Sequence, residues 1–203
     1  LPPSASEASA GVASSGTIVR VRASQAAELS DFSSKCFDQT YGPFCRAADV
    51  DAHIAEWLSP SAWLTVLTDP TAWVFALTID DQWAAYAHVR LHGLPEGVTP
   101  IVAAPANGAL RLLTPVEICR FYVSRKWHGQ GVAATLMSAV MSHATSQGAD
   151  SLWLSSWQEN GRANAFYEKW GFEHVGTGTF LMGEDLQHDY LLQRALPNST
   201  GLQ

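Results

Sequence analysis

The feature that most limits this chain is the run Val123-Ser124-Arg125-Lys126-Trp127-His128-Gly129-Gln130-Gly131-Val132-Ala133. Before it, residues 116–123 are rich in β-formers and read as a strand. After it, Val132, Leu136, Val140 and His143 fall along one face of a helix over residues 131–147. The chain therefore turns from strand to helix through two glycines, with Arg125, Lys126 and His128 alongside. Glycine lets backbone N–H groups come close to an anion, and the positive end of the helix dipole adds attraction, so such a turn suits phosphate. The same glycines also satisfy a tight turn on steric grounds, so the surroundings must decide. No Gly-Lys-Ser or Gly-Lys-Thr follows, as a P-loop requires, and the first strand lacks the Gly-x-Gly-x-x-Gly of a dinucleotide fold.

The order of elements supplies those surroundings. Residues 17–22 alternate as a strand, and Ser24 is positioned to cap a helix bearing Ala27, Leu29, Phe32 and Cys36. Residues 49–58 and 60–67 read as short helices beyond the Gly42-Pro43 break. Residues 71–78 and 83–91 form a hairpin turned by Ile79, Asp80, Asp81 and Gln82, and residues 93–113 a loop or insertion. Residues 151–157 make another strand. A helix follows from Asn160, a natural N-cap, to Trp170, with Gly171 as the C-terminal cap and Ala163, Phe166, Tyr167 and Trp170 on one stripe. Strands near residues 173–182 and 186–194 close the chain, and no internal repeat is visible.

A chain of 203 residues suits one domain. With 47% apolar and 15% charged residues it can fold, and no apolar run reaches the length of a membrane span, so a soluble cytoplasmic protein is expected, with no membrane partner. The formal charge of −7 disfavours nucleic acid and favours cationic ligands such as polyamines. Cys36, Cys45 and Cys119 are too few and too irregular for a disulfide framework, which points to a reducing compartment. Cys119 reads as core packing and not as a nucleophile. Residues 1–16 are expected to be a disordered leader, and residues 197–203 a tail in which the Asn198 glycosylation sequon arises by chance. His53, His88, His92, His143 and His174 share no ligand spacing with Cys or carboxylates, so no metal is expected. Trp57, Trp63, Trp73 and Trp83 alternate with aliphatic residues and read as core, with an aromatic-lined pocket as the alternative.

The order strand, helices, hairpin, strand, glycine loop and helix, strand, helix, strand pair resembles the GNAT superfamily of acetyl-CoA-dependent N-acetyltransferases. That family's hallmark is Gln or Arg, two residues, Gly, one residue, then Gly or Ala, which falls on His128, Gly131 and Ala133. The run NGRANAFYEKWGF from Asn160 to Phe172 is similar to its second signature. The resemblance covers residues 17–196, one N-acetyltransferase domain. It implies an α/β (α+β) fold with a mixed, mostly antiparallel sheet flanked by helices. The C-terminal half resembles the spermidine acetyltransferase PaiA group, through Glu117-Ile-Cys-Arg-Phe-Tyr-Val123 and Phe180-Leu-Met-Gly-Glu-Asp-Leu-Gln187-His-Asp189. His128 departs from the usual Gln or Arg, which makes one phosphate contact weaker or pH-dependent while the backbone contacts remain.

The resemblance also implies roles. Acetyl-CoA as co-substrate would be held by Phe121, Tyr122, Val123, His128, Gly129, Gln130, Gly131, Val132, Ala133, Asn160 and Phe166, with backbone near Val123 polarising the carbonyl. Tyr167 matches the family's general acid. Glu117 is the candidate base, whereas His188 and Asp189 read as a surface pair on an edge strand. Arg120 serves either as a phosphate anchor or as a partner of Glu117. The reaction implied is acetyl transfer to a primary amine, a small amine or polyamine, by direct attack in a ternary complex; a homodimer is left open. Two other readings stand beside it: a protein or peptide acceptor, and a non-catalytic acetyl-CoA sensor.

Overall fold

The computed structural model describes residues 16–101 and 113–197. Strand β1 (Thr17–Arg20) leads into helices α1 (Ala26–Tyr41), α2 (Ala47–Trp57) and α3 (Pro60–Thr68), then the hairpin β2 (Ala72–Ile79) and β3 (Gln82–Leu91). After the long connection come β4 (Pro115–Val123), α4 (Val132–Ser146), β5 (Ser151–Trp157), α5 (Gly161–Lys169), β6 (Glu173–Met182) and β7 (Asp185–Ala195). Of the expected leader only Gly16 is described; residues 102–112 of the expected loop, and residues 198–203 with the sequon, lie outside the described residues.

The strands form one seven-stranded sheet in the order β1-β2-β3-β4-β5-β7-β6. Only β4 and β5 run parallel, which gives the mixed, mostly antiparallel sheet that was expected. The hairpin turn is tighter than its four-residue reading, because Ile79 and Gln82 already pair. Asp80 and Asp81 take up the reversal at φ 50° and 59°, a left-handed pair whose twist suits a two-residue hairpin and which Asp tolerates.

Helices cover both faces. On one, Leu136, Met137, Val140 and Ala144 of α4 pack on Trp73, Phe75 and Leu77 of β2 and on Leu152 and Leu154 of β5. His143 completes that helix stripe, with ring centroids 4.8 Å from Trp73 and 5.0 Å from Phe75. On the other face, α1 to α3 bury Leu29, Cys36, Phe37, Leu58 and Trp63 against Val74, Ala76 and Tyr86. The alternation of β2 residues between these clusters follows from the two-residue period of a strand. Trp63 is wholly buried, and its Nε1–H donates to Ser33 Oγ at 2.9 Å, so the indole's one polar atom is satisfied.

Two local expectations change. Ser24 does not cap α1: a 3₁₀ turn over Ala23–Gln25 precedes the helix, closed by Gln25 N–H donating to Arg22 O at 2.8 Å. The helix therefore starts one residue later, and its inner stripe runs through Ala26, Leu29, Ser33, Cys36 and Phe37, leaving Ala27 exposed. Among the described residues, no helix is long and apolar enough to cross a membrane, and no group of three or more His, Cys, Asp or Glu side chains could hold a metal ion.

Candidate active site

The site begins where the sheet comes apart. β4 pairs with β5 only through Pro115, Val116 and Glu117, opposite Ser151, Leu152 and Trp153, after which the strands diverge. On its other side β4 stays paired with β3 as far as Val123, with a bulge that leaves Cys119 without a register partner. Ser124 N–H donates to Ala84 O at 2.9 Å, which makes Ser124 and Ala84 a hydrogen-bonded pair. By antiparallel alternation, Phe121 and Val123 then turn their backbone N–H and C=O groups away from β3 and into the gap.

Beyond the strand lies the glycine turn. Gly129 and Gly131 have φ of +76° and +80°, and a Cβ at either would meet nothing within 4 Å. Glycine is needed here for its conformation, and the space beside it is open. Gly131 precedes the first turn of α4, and no side chain caps that end. The backbone N–H groups of Val132, Ala133 and Ala134 therefore lack intrahelical partners, and the helix dipole concentrates positive potential among them. A diphosphate fits this donor set.

His128 is tied into the fold. Its Nε2 lies 2.9 Å from Val123 O and its Nδ1 is bonded to Arg162 Nη1. A carbonyl only accepts and a guanidinium only donates, so the ring is neutral, with its hydrogen on Nε2. Burial, together with the nearby charges of Arg162 and Arg125, lowers its pKa below 6.5, against the opposing bond to Val123. The ring joins loop to strand, and the cation at this mouth comes from Arg162 of α5.

Helix α5 supplies the far wall. Asn160 caps it, Oδ1 accepting from Ala163 N–H at 3.2 Å, and Gly171 ends it at φ +73°. Asn164 Nδ2 donates to the carbonyls of Trp157 and Gln158, both at 3.1 Å, fastening the helix to the end of β5. Phe166 stacks on Phe121 at 5.7 Å, and Tyr167 is 7% exposed. The Tyr167 hydroxyl borders the cleft without a hydrogen bond to the described residues, and burial, with the neighbouring Tyr41, raises its pKa well above 10. The phenol therefore keeps its proton.

These parts enclose a cleft of about 960 Å³ bordered by every site residue expected from sequence except Gln130. Gln130 is exposed and donates from Nε2 to Lys126 O at 2.9 Å. Glu117 lines the cleft with Oε2 fixed by Arg90 Nε at 2.8 Å and His92 Nδ1 at 2.9 Å. Arg120 pairs with neither Glu117 nor the loop: it lies toward α1–α3, with Nη1 3.1 Å from His88 Nδ1. Burial and the charge of Glu117 raise the Cys119 thiol to about 12, in keeping with the absence of a nucleophilic role.

The half of the cleft away from the loop was largely missed by sequence reading. Tyr41, His53, Trp57, Trp157 and Phe180 line it. Trp63 and Trp73 are core as expected, but Trp57 is 51% exposed. Asp189 is not a surface residue: β7 lies between β5 and β6, and the residue is 8% exposed, its carboxylate accepting from Ser155 Oγ at 2.6 Å. Burial raises its pKa above the usual Asp value, outweighing that bond and the nearby His188.

Residues 37–172 match the model of the Acetyltransferase (GNAT) family. The chain belongs to that family. It is a GNAT-type, acetyl-CoA-dependent acyltransferase. Over 162 residues it is 32% identical to an uncharacterized N-acetyltransferase of Mycobacterium tuberculosis, covering 78% of this chain and 92% of the relative. An uncharacterized N-acetyltransferase of Lactobacillus delbrueckii subsp. lactis is 24% identical over 180 residues, covering 88% and 96%. Among solved structures, the fold is similar to that of PaiA N-acetyltransferase from Thermoplasma acidophilum in complex with coenzyme A, with a TM-score of 0.69 at 15% identity over 89% of this chain and 99% of that one. Arabidopsis thaliana NAA60 in complex with a bisubstrate analogue gives 0.63 at 13% identity over 91% and 100%. At such identities these two likenesses are of fold.

Proposed function

We propose that the protein transfers the acetyl group of acetyl-CoA to the primary amine of a small acceptor, by direct attack within a ternary complex. One observation carries this reading: a single cleft joins the uncapped N-terminus of α4, the parted edge of β4 and the aromatic-lined half beneath α1 and α2. The donor set at Gly129, Gly131, Val132 and Ala133 suits a diphosphate, with His128 bracing the loop. The gap-facing amides of Phe121 and Val123 suit an amide-bearing arm, with Tyr122, Asn160 and Phe166 along the walls.

Bound acetyl-CoA supplies a thioester carbonyl open to attack by nitrogen. Backbone N–H near Val123 stabilises the charge that grows on the carbonyl oxygen. Tyr167 gives its phenolic proton to the thiolate as the C–S bond breaks. Glu117, held by Arg90 and His92, takes the proton that the nitrogen loses as the C–N bond forms, directly or through water. A second assignment of the base is favoured by one observation: Asp189 is a buried carboxyl whose raised pKa makes it a better proton acceptor than an ordinary aspartate.

The enclosed aromatic half supports a small acceptor over a protein surface. The polyamine class rests on the resemblance to the PaiA group and on the net charge of −7. Release of free thiol from acetyl-CoA, measured across amines, amino acids and peptides, tests the reading. Amine-dependent release that collapses in Tyr167→Phe supports it; binding of acetyl-CoA without release by any amine leaves only the sensor reading.

A further inference from the structure

The acceptor half of the cleft contains a cation that no carboxylate among the described residues neutralises. Arg120 sits opposite His88 in the β3–β4 register, on the face toward α1–α3, with its guanidinium carbon 4.9 Å from the centre of the Trp63 ring. Its two hydrogen-bond partners are uncharged: His88 Nδ1 at 3.1 Å and Trp57 O at 3.4 Å. Among the described residues no carboxylate lies within ion-pairing distance, since Glu117 is committed to Arg90 and His92.

His88 adds a second unanswered donor. It is 5% exposed, and burial, reinforced by Arg120 and Arg90, lowers its pKa to about 3. A neutral ring that accepts from a guanidinium through Nδ1 carries its hydrogen on Nε2. That buried Nε2 has no partner among the described residues, and the residue borders the cleft. A partly buried guanidinium held by a neutral histidine and a carbonyl is costly unless an anion completes it. The diphosphate is not that anion, because its donor set lies past the end of β4, where Arg162 and Lys169 border the cleft.

The opposite pole lies across the aromatic wall, where Asp189 and Ser155 share a hydrogen bond of 2.6 Å. Tyr41 lines the cleft within electrostatic reach of Asp189, its ring centroid 5.7 Å from that of Trp157. We propose that the acceptor is a zwitterion of the amino-acid type, its carboxylate received by Arg120 and its amine presented on the side of Asp189. This inference rests on the acetyl-transfer reading and narrows its acceptor. A fork of guanidinium N–H groups matches a carboxylate, whereas spermidine would bring only like charge against Arg120.

The test compares standard amino acids with their own carboxamides, and with spermidine, by thiol release from acetyl-CoA. Each carboxamide keeps the side chain and the amine's position, removes the negative charge, and makes the amine less basic, so rates are compared per free amine. For the best amino acid, kcat/KM should exceed that of its carboxamide by about 30-fold, mostly through KM, as expected for a charge-assisted pair. Arg120→Gln should bring that ratio close to one, and Arg120→Lys should restore part of it. Carboxamides or spermidine turned over as well as the amino acids, or a preference that survives in Arg120→Gln, would overturn the zwitterion while leaving acetyl transfer intact. No release with any amine would instead remove the acetyl-transfer reading beneath it.

Discussion

Acid should destabilise this protein more steeply than a variant in which residue 88 cannot titrate. His88 has a pKa of about 3 in the fold against 6.5 in a free side chain, with burial the main cause and the charges of Arg120 and Arg90 adding to it. As pH falls below 6.5 the unfolded imidazole binds a proton and the folded one does not, until pH approaches its lowered value. The unfolded state thus holds more protons across this window, and stability declines with acidification by about 1.4 kcal/mol per pH unit. Above the unfolded value both states are neutral and the contribution is constant. The whole window is worth on the order of 5 kcal/mol, and about 2 kcal/mol of it is lost by about pH 5. His53, lowered to about 4 by burial and then by Arg120, acts in the same direction but is partly solvated. Asp189 acts in the opposite direction, because its raised pKa lets the folded state bind a proton first. The difference between wild type and His88→Gln removes both, and Gln keeps an acceptor for Arg120. Urea unfolding at about pH 7.5 and about pH 5 should show the two proteins separating by about 2 kcal/mol more at the lower pH. Parallel pH profiles would refute the reasoning, since they would mean that the ring is solvated in the fold.

Three further outcomes follow. Gly131→Ala should cost about 1 kcal/mol of stability through its φ of +80° alone, since the added methyl meets nothing within 4 Å, and calorimetry should show weaker binding of coenzyme A; Gly131→Asn should be milder. Tyr167→Phe removes a hydroxyl with no hydrogen-bond partner among the described residues, so thermal stability should hold while kcat falls by about 10²-fold or more. Glu117→Gln and Asp189→Asn separate the two candidate bases. If Asp189 is the base, kcat/KM in the wild type falls as pH drops through its raised pKa, and that acid limb vanishes in Asp189→Asn but persists in Glu117→Gln.

The coenzyme half of the site was legible because local rules generate it. Gly129 and Gly131 announce positive φ, Asn160 and Gly171 bracket a helix, and Val132, Leu136 and Val140 mark the face it buries. The order of elements along the chain follows from the same signals, and the mixed, mostly antiparallel sheet once the family resemblance is joined to them. What failed were inferences that needed the third dimension. Asp189 reads as an exposed charge beside His188 until β7 is seen to be an inner strand, between β5 and β6. Trp57 looked like its core neighbours because helical spacing alone cannot tell the last turn of α2 from its middle. The capping of α1 by Ser24 gives way to a 3₁₀ turn, a difference of one residue that propensity does not resolve.

Arg120 shows most sharply why the acceptor half resisted reading. Along an unbroken strand, Glu117 and Arg120, three residues apart, would face opposite sides of the sheet. The bulge that leaves Cys119 out of register inserts one residue, so Arg120 comes to lie opposite His88 on the face toward α1–α3, and Phe121 opposite Ala87 on the face toward α5. That shift takes Arg120 away from the α4 side, puts Phe121 against Phe166, and turns the Phe121 and Val123 amides into the gap. A period-two reading assigns each of these side chains to the wrong face from Cys119 onward. The irregularity that opens the strand edge thus also sends a cation into the acceptor space. The glycine-turn half and the α1–α3 half of the cleft thereby take their side chains from one strand through a single extra residue in β4.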